Sequence, residues 1–174
     1  MNAPAKTLRI RDIMTTDVIT LVAQTSVEDA ARSLTFHHVS GVPVLEHGRI
    51  IGVVSKSDLV DPRYRSSAAV KATVRDAMTR VVRAVRPGDT AMLAVRLMVR
   101  ENIHRAVVVD DAGKLVGIVS PMDVLRALAR GDDVQGDDGA FQDRHELHAD
   151  PAVATEFVDL TTFEVAEDAA SRST

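Results

Sequence analysis

The sequence predicts an α/β (α+β) protein: two β-α-β-β-α repeats packed about a pseudo-twofold axis, with an acidic C-terminal extension. Three observations predict it. The phrase GVVSKSDLV at 52–60 returns as GIVSPMDVL at 117–125, each with a serine and then an aspartate three residues on. When Arg11 is placed over Arg75 and one extra residue, Ala112, is allowed in the second copy, the match extends well beyond that phrase. Arg11/Arg75, Asp12/Asp76, Met14/Met78, Thr15/Thr79, Gly52/Gly117, Ser55/Ser120 and Asp58/Asp123 are among the identical pairs. Finally, the charge divides the chain. Residues 1–130 hold 19 Lys+Arg against 13 Asp+Glu, a sum of +6, while 131–174 hold 2 against 12, a sum of −10. Two copies at a period of about 64 residues favour two facing halves over a solenoid array. The expected units are a first repeat at 8–66, a second at 72–130, and the acidic extension at 131–174.

Each repeat opens on a short β-rich stretch, DVITL at 17–21 and VVRAV at 81–85. A helix follows in each. Val27, Ala30, Ala31 and Leu34 recur at i, i+3, i+4, i+7, as do Ala91, Ala94, Val95 and Met98, which puts each set on one helical face. Ser26 and either Asp89 or Thr90 are the expected N-caps. Two strands come next, VPVLE and RIIGVVS joined at His47-Gly48, then AVVVD and KLVGIVS joined at Ala112-Gly113. A glycine ahead of the second strand suits a hairpin. A last helix starts at each Ser-x-x-Asp. In the second repeat it is expected from about Asp123 to Arg130, with a stop at Gly131. In the first, Asp61-Pro62 interrupts three residues after Asp58, so the helix is short or restarts at the proline.

Composition removes several functions. The chain has no cysteine, which excludes disulfides, thiolate metal sites and cysteine nucleophiles. Aromatics are 3%, too few for base-stacking platforms. The N-terminus MNAPAKTLRIRD lacks a signal-peptide apolar run, and no stretch is long enough to span a membrane, so a cytoplasmic location is expected. There is neither a Gly-x-x-x-x-Gly-Lys-Ser/Thr phosphate loop nor a Gly-x-Ser-x-Gly elbow, and no nucleophile–base set, so no catalytic residues are assigned. His145 and His148 lie among carboxylates in DRHELHAD and read as solvated surface rather than a metal site. Arg63, Arg65, Lys71, Arg75, Arg80, Arg83 and Arg86 form a basic run, but without a recognised module nucleic acid is an unlikely partner.

The doubled order β-α-β-β-α, with RDIMTTDVITL, SGVPVLEHGRIIGVVSKSD, RDAMTRVVRAV and HRAVVVDDAGKLVGIVSPMD carrying the match, resembles a tandem pair of CBS domains, also called a Bateman module. The resemblance covers about residues 8–130. It implies a stand-alone regulatory module, not a catalyst and with no cofactor. Its ligand would be an adenosine-containing molecule (AMP, ADP, ATP or S-adenosylmethionine) held in clefts between the repeats. It also implies a homodimer and a protein target in trans. By the same resemblance, Asp58 and Asp123 would accept hydrogen bonds from ribose hydroxyls, and Ser55 and Ser120 would lie near phosphates. An ionised carboxylate accepts two hydroxyls at once, and the following helix N-terminus favours an anion. The other reading, helix capping by each aspartate, can coexist with ribose binding.

In IHRAVVVD, Ile103, His104 and Arg105 precede a strand, where the family places basic residues against phosphates. The first repeat has Val39, Ser40 and Gly41 instead. The expected better anion site is Asp123, Ser120, His104 and Arg105, lined by Ile19, Val39 and Ser40. A weaker one would use Asp58 and Ser55 with Lys56 and Arg83. A ligand-free interaction scaffold is the alternative function. The acidic extension divides into a Gly-Asp linker, a more apolar stretch around Phe157, Leu160 and Phe163, and a polar end; it either solubilises or folds back on the basic body.

Overall fold

A computed structural model describes residues 7–61, 64, 72–134 and 146–148. The first half contains α1 (Ile10–Ile13), β1 (Leu21–Val22), α2 (Val27–Phe36), β2 (Gly41–Glu46), β3 (Arg49–Ser55) and α3 (Lys56–Leu59). The second contains α4 (Val74–Ala77), β4 (Val81–Val85), α5 (Ala91–Arg100), β5 (Ala106–Val109), β6 (Leu115–Val119) and α6 (Pro121–Ala129), followed by β7 (Glu146–His148). The fold is the expected mixed α/β pair, with sheets β1-β2-β3 and β6-β5-β4-β7. Within each half the first strand runs parallel to the second, and the second and third form an antiparallel hairpin.

Local chemistry sets most boundaries. Ser26 Oγ accepts the Asp29 N–H at 3.0 Å, and Thr90 Oγ1 accepts that of Leu93 at 3.1 Å, so serine and threonine cap α2 and α5. Asp89 instead accepts the Arg86 N–H. His47 and Gly48 both have positive φ, 49° and 77°, the backbone that a two-residue hairpin turn matched to strand twist requires. α3 stops after four residues, as the Asp61-Pro62 step predicts, whereas α6 runs to Ala129 and Gly131 ends it at φ 85°. Of the stretch 17–21 only Leu21 enters a strand, with Val22 after it, shorter than expected. Its counterpart Val81–Val85 is a full strand.

The cores do not follow the repeats. The first gathers Ala30, Leu34, Val42, Val44 and Val54 with Val74, Ala77 and Met78 from the second repeat. The second gathers Val85, Ala94, Met98, Val108 and Val119 with Ile10 from the first repeat, flanked by Ile13 and Met14. The α1 and α4 segments have therefore been exchanged. Thr15 pairs with Ile118 through two 2.9 Å backbone hydrogen bonds, and Thr79 pairs with Val53 in the same way. Arg75 completes one crossing by pairing with Glu46 on β2, and that contact holds the Glu46 carboxyl below the usual range.

The exchange explains several identities of the repeat. A Cβ on Gly52 would sit 2.8 Å from both Met78 Sδ and Thr79 O. One on Gly117 would sit 2.8 Å from Met14 Sδ and 3.1 Å from Thr15 O. Met14/Met78, Thr15/Thr79 and Gly52/Gly117 thus form two copies of one clasp. Between the sheets, Val82, Ala84, Val107 and Val109 pack with Ile50, Val53 and Leu115, which joins the halves through a third apolar layer.

A part-buried ion pair braces the second half. Arg83 on β4 donates from Nε (2.9 Å) and Nη2 (2.6 Å) to Glu101, the C-cap of α5, and Arg100 donates to the same carboxylate. Burial alone would raise the Glu101 carboxyl, but hydrogen bonds and charge from Arg83 and then Arg100 outweigh it, leaving the group below its ordinary value. A carboxylate depressed by folding stabilises above its unfolded value and loses that contribution as pH falls through its folded value. Glu101→Gln should cost about 1–2 kcal/mol at neutral pH, because a charged acceptor makes the stronger hydrogen bond. The difference from wild type should shrink as unfolding is followed by urea titration from pH 7 down to the acid limb.

Candidate functional site

The two Ser-x-x-Asp phrases adopt the same geometry. Asp58 Oδ2 accepts the Ser55 N–H at 2.8 Å and Ser55 Oγ at 2.6 Å. Asp123 Oδ2 accepts the Ser120 N–H at 2.8 Å and Ser120 Oγ at 2.7 Å. Each is a capping box at a strand-to-helix junction, closing α3 and α6 at their N-termini. Capping occupies only one oxygen of each carboxylate. Oδ1 of Asp123 takes a 3.1 Å hydrogen bond from exposed Arg126. Both aspartates are part-buried.

Gly41 pairs with Ser55 across β2 and β3, and the Lys56 N–H donates to Ser40 O at 2.9 Å. Ser40, Gly41, Ser55, Lys56 and Asp58 are thus one corner of the first half. The corresponding corner of the second half is His104, Arg105, Ser120 and Asp123, with Ala106 paired to Val119. Arg105 joins the two corners: its guanidinium crosses the pseudo-twofold axis and donates to Gly41 O and to Ser40 Oγ. It takes the room that Gly41 leaves, since a Cβ on Gly41 would lie 3.0 Å from Arg105 Nη1.

Positions 41 and 105 are equivalent in the repeat. Two arginines there would bring like charges together, and the glycine/arginine pair avoids this. Both acceptors of Arg105 are neutral. Among the described residues no carboxylate lies within ion-pair distance of it, and burial pulls its guanidinium below its ordinary basicity. Half-buried Arg83 and Arg75, by contrast, each face a carboxylate.

The other residues expected at the site differ in exposure and position. His104, Ser40 and Lys56 are exposed. Ile19 and Val39 pack at the edge of the first core and Ile103 at the edge of the second. Arg83, expected beside Asp58, is committed to Glu101 instead. Sequence reasoning missed Gly41 as a contact residue; its signal was the Gly/Arg difference at equivalent positions. Among the described residues no group of His, Asp and Glu is placed to hold a metal, and no helix is long and apolar enough to cross a membrane.

The family model for the CBS domain matches residues 10–62 and again 74–130. An uncharacterized protein of Methanocaldococcus jannaschii is 30% identical over 161 residues, covering 74% of this chain and 95% of that protein. Inosine-5'-monophosphate dehydrogenase of Korarchaeum cryptofilum is 32% identical over 117 residues, 67% of this chain but 24% of the enzyme. Among solved structures, CBSX2 in complex with AMP is 31% identical at a TM-score of 0.64, covering 71% of this chain and 97% of that one; a CBSX2 structure is described as a CBS-pair protein of Arabidopsis thaliana. The CBS domain pair of protein MJ0100, in complex with 5'-methylthioadenosine and S-adenosyl-L-methionine, is 27% identical at a TM-score of 0.63, covering 72% and 99%.

Proposed function

Because the chain belongs to the CBS domain family, we propose that it is a regulatory module binding an adenosine-containing ligand (AMP, ADP, ATP or S-adenosylmethionine) between its two repeats. The observation that carries this reading is Arg105. A half-buried guanidinium with only neutral acceptors is costly unless an anion completes it, and a phosphate or carboxylate suits its planar fork. Asp123 and Asp58 offer their second carboxylate oxygens to ribose hydroxyls, and Ser55, Ser120, His104, Lys56 and Ser40 ring the two corners. Ile19, Val39 and Ile103 supply apolar contact for the base. The relatives solved with AMP and with S-adenosyl-L-methionine support this ligand class.

The ligand acts by favouring one arrangement of the halves, since it shifts an equilibrium only as far as its affinities for the two states differ. The module works in the cytoplasm as a homodimer through its helices and signals energy or stress state to a target in trans. Exposed Met122, Leu125 and Leu128 on α6 support the helical dimer face.

Thermal unfolding with each candidate ligand tests the reading. At a hundredfold excess over Kd, a ligand adds about 2.7 kcal/mol, or roughly 5–10 °C in a chain of this size. Arg105→Gln, which keeps a donor for Gly41 and loses the charge, should abolish the shift with little change in the unliganded Tm. Asp123→Ala should abolish it too, and lower the unliganded stability by about 1 kcal/mol through the lost cap. A flat response across the whole panel sinks this reading and leaves the scaffold function.

A further inference from the structure

The second sheet has a strand that the first lacks. β7 pairs antiparallel with β4 in the register Val81↔His148, Val82↔Leu147 and Arg83↔Glu146, on the edge away from β5. β5 pairs with β4 only at Ala84 and Val85, so β4 runs on for three residues before it, and β7 covers that overhang. The two halves thus end their sheets differently. The first ends on β1, two residues long, and a strand so short offers little to a foreign chain. The second would end on five residues of VVRAV, three of them buried and rich in valine, the kind of edge that attracts other strands.

We propose that the outer edge of β4 at Val81–Arg83 is a strand-docking site, and that its occupant is this chain's own Glu146–His148. The acidic extension is then a tethered strand ligand of the module it follows. Charge supports the assignment. Exposed Arg80 stands just before β4, and β7 lies in DRHELHAD, within a segment carrying −10 against a body carrying +6. Three paired residues contribute little on their own, at about 1 kcal/mol per hydrogen bond. The eleven residues from 135 to 145 compensate by holding the strand near its site at a millimolar effective concentration. Such docking is modest in affinity and exchangeable. The family match ends at residue 130, so the device lies outside the matched repeats. It is independent of the ligand reading, because its test contains no nucleotide.

The chain's lack of cysteine makes the test clean. Directly opposed residues of an antiparallel pair lie about 4.5–5.5 Å apart at Cα, within disulfide reach. In the full chain, the double variant Val81→Cys/His148→Cys should close a bridge within a single chain under mild oxidation. It should do so about tenfold faster than Arg49→Cys/His148→Cys, whose partner is on the first sheet, reflecting the tethered strand's local concentration. Equal rates, or bridges mainly between two chains, would overturn the proposal, the latter by assigning the strand to a second copy. A labelled peptide of residues 141–152 gives an independent reading. It should bind full-length Leu147→Pro, whose own strand is disabled, about tenfold tighter than wild type. Equal binding to both would also overturn it.

Discussion

Gly52→Val is expected to destabilise the protein by about 3 kcal/mol, near the upper end for overpacking. A Cβ at residue 52 meets Met78 Sδ and Thr79 O, both at 2.8 Å. The sulfur can swing aside, because methionine is unbranched and adaptable. The carbonyl cannot, since Thr79 is fixed to Val53 by two backbone hydrogen bonds at 2.9 Å. The added side chain therefore strains β3 or opens the clasp, and either route loosens Val74, Ala77 and Met78 from the first core. Gly48→Ala is the control. Nothing lies within 4 Å of a Cβ there, so only the positive φ of 77° opposes it, at about 1 kcal/mol. Urea unfolding of both variants should show a clear excess for position 52. Equal losses would mean that the crossing is not what position 52 protects.

Ile10→Ala is expected to cost about 3–4 kcal/mol, the range for truncating a large aliphatic side chain in a closed core. Ile10 is fully buried, yet it lies before the first repeat's own strands and packs with Val85, Ala94, Met98 and Val108 of the second. The reciprocal Val74→Ala should loosen the first core. If the repeats were independent, the Ile10 variant would leave the second half intact. The exchange predicts the opposite: amides of β5 and β6 should lose hydrogen-exchange protection in Ile10→Ala, and those of β2 and β3 in Val74→Ala. Protection lost only near the mutated residue in sequence would contradict the exchanged arrangement.

Much of this was legible in the sequence because it is written in local patterns. The helical faces through Leu34 and Met98, the turns at His47-Gly48 and Gly113, and the short α3 before Pro62 each depend on neighbours a few residues away. The Ser-x-x-Asp geometry was legible for the same reason, since Ser and Asp three residues apart meet whenever a helix starts between them. The crossings were not, because Thr15 and Ile118 meet across 103 residues and nothing local marks the event. The repeat did record them, in the shared Met, Thr and Gly, but identity between copies does not say which copy's methionine meets which copy's glycine. Arg105 posed the same difficulty. Its chemistry was plain, but its destination depends on how the halves face one another, and so on Gly41 having no side chain. β7 left least trace, because backbone pairing over three residues needs no apolar alternation. The apolar stretch around Phe157 lies outside the described residues.

The exchanged segments also set an order for biosynthesis. Ribosomes deliver chains from the N-terminus, and domains generally fold as their parts emerge. The first half can close its core once Val74, Met78 and Thr79 have appeared, while the second repeat is still being made. Leu8 to Thr15, made before these strands, has no partner in the second half until Val85 to Ala91 exist, and Thr15 waits longer still, for Ile118. Contacts of such separation are slow to form, because the intervening loop must close before they contribute. This early-made segment is therefore among the last to be fixed, and apolar Leu8, Ile10 and Ile13 wait in solvent meanwhile. A chain stalled between residues 80 and 117 would hold a nearly complete first half with an unsatisfied N-terminal segment, the species on which a chaperone would act.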